Sequence, residues 1–243
     1  MKINTVLIDM GGVLLDLENS KGLPPARLDW RGREALLRLL RQRNQLLNLE
    51  DLETLLFEPW RREYERRYEL GTEASWKPHL TSLRRAAGSR LHDVHLLRSW
   101  FRPYAERIKP YQGISDTLHW LKRHRLKLAL VSNVPLPGAL YLRILDRHGI
   151  AGVFDSIHFS YDCGSRKPSP AMLRDALAVL QSEPGDSVMV GDRRASDIAA
   201  GRAAGVATVW IRSEDGGGPA PDFAIDSLAA LPALIEEKFR GFG

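Results

Sequence analysis

Residues 6–16 read VLIDMGGVLLD: an unbroken apolar segment, one acid at Asp9, and then Gly11 and Gly12. Apolar side chains on successive residues, rather than alternate ones, mark a strand covered on both faces, as in a parallel sheet sandwiched by helices. A carboxylate directly after such a strand stands at its C-terminal end, where open parallel sheets bind their ligands. The glycines suit a tight turn in which positive φ is easily adopted.

The same texture recurs from residue 110 onward. NTVLID, LKLALVSN, SIHFS, SVMVGD and VATVWI read as strands, with DFAID as a weaker sixth, and helix-period segments near 114–125, 138–148, 169–181, 195–204 and 227–239 separate them. Strands alternating with helices predict an α/β fold, a three-layer doubly wound parallel sheet made by residues 1–16 and 110–243. Residues 17–109 differ. They are rich in Leu, Arg, Glu and Trp, with periodic runs such as GREALLRLLRQRNQLL and no strand pattern. This segment reads as a small helical domain inserted after the first strand and ended by Pro103 and the KPYQG turn at 109–113. SEDGGGPAPD at 213–222 reads as a mobile loop.

At 243 residues, 44% hydrophobic and 27% charged, the chain has the composition of an ordered globular protein rather than a disordered one. No apolar run approaches the ~20 residues that span a bilayer, and the N-terminus lacks a signal peptide's apolar core. The single cysteine, Cys163, excludes an intrachain disulfide and fits a reducing compartment, so the expected location is cytoplasmic. The net charge of +5 resides in residues 17–108, with 18 Lys plus Arg against 13 Asp plus Glu. Runs such as RREYERR read as solvated helix faces, and the basic residues are spread rather than clustered, so no nucleic-acid partner is expected.

Three further strand or helix ends carry polar chemistry. Ser132 and Asn133 end LKLALVSN, Asp192 ends SVMVGD, Asp197 lies in the next helical turn, and Lys167 precedes Pro168 in SRKPSP. Parallel strands bring such ends to one edge. Carboxylates from different strands suit a hard cation such as Mg²⁺. A lysine, a hydroxyl and loop N–H groups beside them suit a phosphate, and a carboxylate in that setting can act as a nucleophile.

In their order and spacing these residues resemble the haloacid-dehalogenase-like hydrolase superfamily over nearly the whole chain. Asp9-Met10-Gly11-Gly12-Val13 stands where that family has D-x-D-x-[TV], Ser132 ends its second motif, Lys167 before proline is its third, and Gly191-Asp192 with Asp197 matches G-D-x-x-x-x-D. The resemblance implies a Rossmann-like core with a helical cap at 17–109, whose YELGTEASWKPHL resembles the Y-E-x-G…S turn of such caps. It implies a Mg²⁺-dependent phosphatase acting on a small phosphorylated metabolite. Asp9 would attack phosphorus and form an aspartyl phosphate. Asp9, Asp192 and the backbone carbonyl of Gly11 would hold Mg²⁺. Ser132 and the N–H of Asn133 would bind phosphate oxygens, Lys167 would neutralise charge, and Asp197 would orient metal-bound water or Lys167.

Gly11 is the departure, since the family's second aspartate there serves as general acid and base. Its loss spares a main-chain metal ligand and removes proton transfer typically worth 10²–10⁴-fold. Three readings follow. The substrate can have a good leaving group, such as an anomeric phosphate; the D-x-G-G-V variant resembles a branch that includes a glucose-1-phosphate phosphatase. A cap group among Asp16, Glu18, Glu69, Glu73 and His79 can supply the proton. Or the protein binds or regulates with little turnover. Haloacid dehalogenation is a further alternative, against which the acids Asp192 and Asp197 argue. Among smaller candidates, Arg61, Arg62, Arg66 and Arg67 are available to an anionic substrate. His92 and His95 lack a third zinc ligand, Cys163 reads as a packed side chain, and Trp60, Trp76, Trp100 and Trp120 read as packing residues.

Overall fold

The computed structural model describes residues 2–17, 25–42, 46–214 and 217–239, the side chains of 25–28 excepted. All six expected strands form: β1 (Thr5–Ile8), β4 (Lys127–Ser132), β5 (Ser156–Phe159), β6 (Ser187–Gly191), β7 (Ala207–Ile211) and β8 (Phe223–Ile225). They make one parallel sheet in the order β5-β4-β1-β6-β7-β8. The remaining two, β2 (Leu15–Asp16) and β3 (Lys109–Pro110), form a separate antiparallel pair with Asp16 opposite Lys109.

The apolar run of β1 beyond Thr5 has a direct cause. Val6 and Ile8 join Leu118 and Leu121 of α6 (Ile114–Arg123) and Leu231 and Ile235 of α11 (Leu231–Lys238) on one face. Leu7 joins Leu173 and Leu177 of α9 (Ala171–Leu180) and Ala200 of α10 (Ala199–Ala204) on the other. Each large side chain so buried contributes roughly 1.5–3 kcal/mol, and a strand between two helical layers takes a polar residue only where it finds a partner, as buried Thr5 does in donating to Ser182 Oγ at 2.7 Å. The centre of the sheet aligns Ile8 with Leu130 on β4 and with Val190 on β6. Residues just beyond those positions therefore meet at one edge.

Between β2 and β3 the described chain is helical: α1 (Pro25–Arg41), α2 (Leu49–Leu52), α3 (Glu58–Glu69), α4 (Lys77–Ala87) and α5 (Asp93–Ala105). A π-helical turn at Glu53–Phe57 joins α2 to α3, just before Pro59, whose missing N–H interrupts the regular ladder. Helices α1 and α5 lie in close contact, and a Cβ on Gly32 would fall 2.2 Å from the Trp100 carbonyl oxygen.

Two sequence expectations are corrected. Pro103 does not end the helical segment; it lies inside α5, which continues to Ala105. A proline so near the C-terminal end forfeits a single ladder bond. Lys109 and Pro110 belong to β3 rather than to a plain turn, because they pair with the outgoing chain at Leu15 and Asp16. The described flanks of the 213–222 loop are packed: a Cβ on Gly218 would lie 2.5 Å from the Arg194 main chain, and Asp222 accepts bonds from the N–H and hydroxyl of Thr208, both 2.8 Å. The last strand, β8, closes the sheet edge beside β7, and the last helix, α11, packs on α6.

Candidate active site

Asp9 follows β1 directly, and its N–H donates to the Val190 carbonyl at 3.0 Å, extending the β1–β6 ladder by one residue. The chain then turns back. The N–H groups of Leu14 and Leu15 both donate to the Met10 carbonyl at 2.9 Å, and that of Gly12 to the Leu15 carbonyl at 3.1 Å. Gly12 has φ +73°, and a Cβ there would fall 2.1 Å from Asp192 Oδ2. Glycine at 12 is required twice, by the backbone and by the approach of Asp192. A Cβ on Gly11 would meet only the end of the Leu17 side chain, at 2.8 Å.

Lys167 is the hub. Its Nζ lies 2.6 Å from Asp9 Oδ1 and 2.7 Å from Asp197 Oδ1, and donates to the Val131 carbonyl at 2.8 Å. Lysine and both carboxylates are buried, so these contacts act in a low effective dielectric. The Asn133 side chain grips the Lys167 main chain at two points: Oδ1 accepts from the Lys167 N–H at 2.8 Å, and Nδ2 donates to the Lys167 carbonyl at 2.9 Å. Sequence reasoning considered only the backbone N–H of Asn133 and missed this clamp. Ser132, the last residue of β4, hydrogen-bonds the Asp9 carboxylate.

Asp197 lies in a π-helical turn, Arg194–Ile198, where its Oδ2 accepts from the Arg193 N–H at 2.9 Å and its Oδ1 from Ser196 Oγ at 3.3 Å. A Cβ on Gly191 would fall 2.2 Å from Asp197 Cβ, so the glycine before Asp192 admits Asp197. The Asp192 carbonyl is held by Trp210 Nε1 at 2.9 Å and Ser213 Oγ at 2.7 Å. Carboxylate oxygens of Asp9, Asp192 and Asp197 all lie within 4.8 Å of one another.

Three carboxylates around one ammonium leave an excess of negative charge. Burial raises the Asp9 pKa, an effect that Lys167 opposes and Asp197 reinforces. Burial opposes the charged form of Lys167, but Asp197 and Asp9 outweigh it and hold the ammonium protonated. Asp192 is pushed up to about 7 by burial and by repulsion from Asp9 and Asp197, with Arg193 only partly offsetting them.

The other sequence candidates are placed elsewhere. Arg61 pairs with Glu53, Arg62 with Glu58, and Arg67 lies 3.8 Å from Glu63; Arg66 is exposed. His79 contacts Glu63 at 2.9 Å, Asp16 lies in β2, and Glu69 is exposed at the end of α3. Glu18 lies outside the described residues. His92 and His95 lie with ring centroids 6.5 Å apart, and Trp120 stacks on His124. The packed reading of Cys163 is corrected: it is exposed, at the end of the single helical turn Ser160–Cys163. Glu73 is different: it is buried and accepts from Ser160 Oγ at 2.6 Å, with Arg166 at 3.6 Å, so it links the helical segment to the strand-bearing part beside Lys167. Arg166 and Ser160 were not singled out from sequence; only an Arg immediately before Lys167 hinted at the first.

A family model described as haloacid dehalogenase-like hydrolase matches residues 3–205. A phosphoglycolate phosphatase from Aquifex aeolicus is 42% identical over 141 residues, which cover 55% of this chain and 62% of that protein. The chain spans about half to three-fifths of the length of the curated relatives it matches. Among solved structures, a HAD phosphatase from Thermococcus onnurineus superposes with a TM-score of 0.64 at 24% identity, over 97% of this chain and 98% of that one. A 2-haloacid dehalogenase from Pseudomonas syringae pv. Tomato DC3000 also reaches 0.64, at 22% identity, over 97% and 99%. Equal likeness to a phosphatase and a dehalogenase speaks for the fold and leaves the chemistry to the residues at the sheet edge.

Proposed function

The chain belongs to the haloacid dehalogenase-like hydrolase family, and from that premise we propose that it is a divalent-cation-dependent phosphatase acting on a small phosphorylated metabolite. The observation that carries this reading is the gathering of Asp192 and Asp197 beside Asp9, three carboxylates around the single buried ammonium of Lys167, with Arg193 offsetting Asp192 only in part. Attack on carbon by a lone carboxylate has no use for that acidic surplus, whereas a phosphoryl group and a cation do. The similarity to curated phosphoglycolate phosphatases supports the same reading. In it residues 1–16 and 110–243 are the core and 17–109 the cap. The single cysteine supports a reducing, cytoplasmic setting, and no described helix is long and apolar enough to cross a membrane.

The residues fit a hard dication such as Mg²⁺: the ligand set is all oxygen, and burial, with repulsion from Asp9 and Asp197, pushes Asp192 up to about 7. Asp9, Asp192 and the main-chain carbonyl of Gly11 would hold it, with Asp197 behind them; the hydrogen bonds that close the turn fall on the Met10 and Leu15 carbonyls. Once bound, such an ion neutralises charge on the phosphoryl oxygens. An Asp9 oxygen attacks phosphorus as the ester P–O bond breaks, giving an aspartyl phosphate and the leaving oxygen, which takes its proton from water. Lys167 offsets the charge gathered on Asp9 and the phosphoryl group, and Ser132 donates to a phosphoryl oxygen. Water then attacks phosphorus, the P–O bond to Asp9 breaks, and inorganic phosphate leaves with Asp9 restored.

Cation binding has a pH signature. Because the folded Asp192 titrates near 7 rather than 3.8, the metal-free fold is least burdened below pH ~4 and loses stability as pH rises through about 7. A dication relieves that repulsion, so Mg²⁺ or Mn²⁺ should raise Tm more at pH ~8 than at pH ~5.5. An equal rise at both would remove Asp192 from the ligand set.

The function is tested by phosphate release from a panel of esters, p-nitrophenyl phosphate included, with Mg²⁺ and with EDTA. Cation-dependent release is expected; halide release from 2-haloacids in EDTA instead would assign the dehalogenase chemistry. Gly11 favours a second reading, a binding protein of low turnover, which tight phosphate-ester binding with no release would support. Gly11→Asp separates the cases further. Among the described residues a Cβ there meets only the flexible end of Leu17, so the variant should fold and speed alkyl phosphates by about 10–100-fold while changing p-nitrophenyl phosphate by less than about threefold. An equal effect on both would mean that proton transfer does not limit the wild type.

A further inference from the structure

A cavity of about 230 Å³ lies between the helical segment and the chain just after β2 and β4. Six of its lining residues are aromatic: Trp60, Trp76, Trp100, Phe101, Tyr104 and Tyr141. Its position ties it to the site. Leu17 lines it and also faces Gly11, while Pro135 and Leu136 line it two and three residues after Asn133. Among the described residues no lysine or arginine lines it, and its one carboxylate, Asp29, is taken by Trp100 Nε1 at 2.9 Å and by Arg33 at 2.6 Å. A second anionic group on the substrate, such as a carboxylate, would find no counter-charge there.

From this cavity and from Gly11 we infer that the leaving group is aromatic, so that the substrate is an aryl phosphate monoester; the inference rests on the phosphatase reading above. Two independent observations converge. The first is shape and chemistry: an apolar cavity of ~150 Å³ already holds benzene, and this one is larger and walled by rings. Trp60 stacks on Trp76 with centroids 4.0 Å apart and planes 12° apart, leaving a rigid aromatic wall. The indole N–H groups of Trp76 and Trp100 are bound to the Pro135 carbonyl and to Asp29. That of Trp60 is buried without a hydrogen-bond partner among the described residues, which a polar ring substituent can satisfy. The second is the missing acid. A phenolic oxygen, of pKa ~10, leaves as an anion far more readily than an alkoxide, whose conjugate acid resembles water at ~15.7. An aryl ester therefore needs little of the assistance that Gly11 cannot give.

Initial rates with Mg²⁺ on phenyl phosphate, 2-naphthyl phosphate, acetyl phosphate, phosphoglycolate and propyl phosphate test this, alongside tryptophan fluorescence titrated with phenylphosphonate and methylphosphonate. Acetyl phosphate has a good leaving group and no ring, which separates the pocket from the missing acid. The aryl esters should show KM values at least about tenfold below that of acetyl phosphate and kcat/KM about 100-fold above that of propyl phosphate, with phenylphosphonate alone perturbing the fluorescence. Trp60→Ala should raise KM for phenyl phosphate about tenfold and leave acetyl phosphate within about twofold; if that variant fails to fold, the wild-type comparisons still decide. Turnover of phosphoglycolate or acetyl phosphate at KM values as low as the aryl esters, with no fluorescence response, would overturn the aromatic assignment and leave the phosphatase reading standing. A response to phenylphosphonate with no phosphate release from any ester would uphold the ring pocket and overturn the phosphatase reading.

Discussion

Asp9→Asn is expected to lower phosphate-ester turnover by about 10⁴-fold or more while leaving the protein folded, with an unchanged or raised Tm. The amide cannot form the aspartyl phosphate, and removal of a covalent nucleophile typically forfeits most of a site's rate enhancement. Stability moves the other way for a reason visible in the charge balance. Asp9 is one of three carboxylates around a single ammonium, and its loss relieves repulsion on Asp192 while Lys167 keeps Asp197 at 2.7 Å and the Val131 carbonyl. Thermal melts and single-turnover phosphate release on the same preparation check both halves. A variant retaining wild-type-like turnover would place the nucleophile elsewhere.

Lys167→Met should have the opposite stability signature. It strands Asp9 and Asp197 as buried carboxylates without a cation, and breaking a buried pair in this way costs about 3–5 kcal/mol. Turnover should fall by about 10²–10³-fold, since the charge offset near phosphorus goes with it. The loss in unfolding free energy should be larger at pH ~8 than at pH ~5. Asp9 and Asp192 have raised folded pKa values, so they accept protons as pH falls and the repulsion fades. Adding Asp197→Asn to Lys167→Met should restore part of the stability and none of the activity, a coupling that denaturant titration of the four proteins measures. A lysine variant as stable as wild type at pH ~8 would mean that the ammonium does not balance the cluster.

The sheet was legible because its strands carry an unusual mark. Val6, Leu7 and Ile8 are apolar in succession, and the two helical layers that cover them are the reason. Three site positions were legible for a related reason: Asp9, Ser132 and Asp192 follow or end apolar strands, and parallel pairing in register leaves them one edge to occupy. Other features left no such trace. A two-residue ladder such as β2–β3 has no periodicity of its own; it exists because the outgoing chain at 15–16 meets the returning chain at 109–110. Pro103 reads as a stop but sits inside α5, because a single lost bond near a helix end is outweighed by packing of Leu96 and Leu97.

The order of apolar strands and amphipathic helices, with acids at the strand ends, is a local pattern written residue by residue, and it sufficed to determine the α/β architecture and to nominate Asp9, Lys167, Asp192 and Asp197. Tertiary structure alone decided the side-chain partnerships: Asn133 clamping the main chain of Lys167, Glu73 reaching Ser160 and Arg166, and six aromatic residues, five of them from α3, the start of α4 and α5, closing on one cavity. Such contacts join residues from 34 to more than 80 positions apart, where spacing along the chain carries no information and only the meeting of surfaces selects the partner.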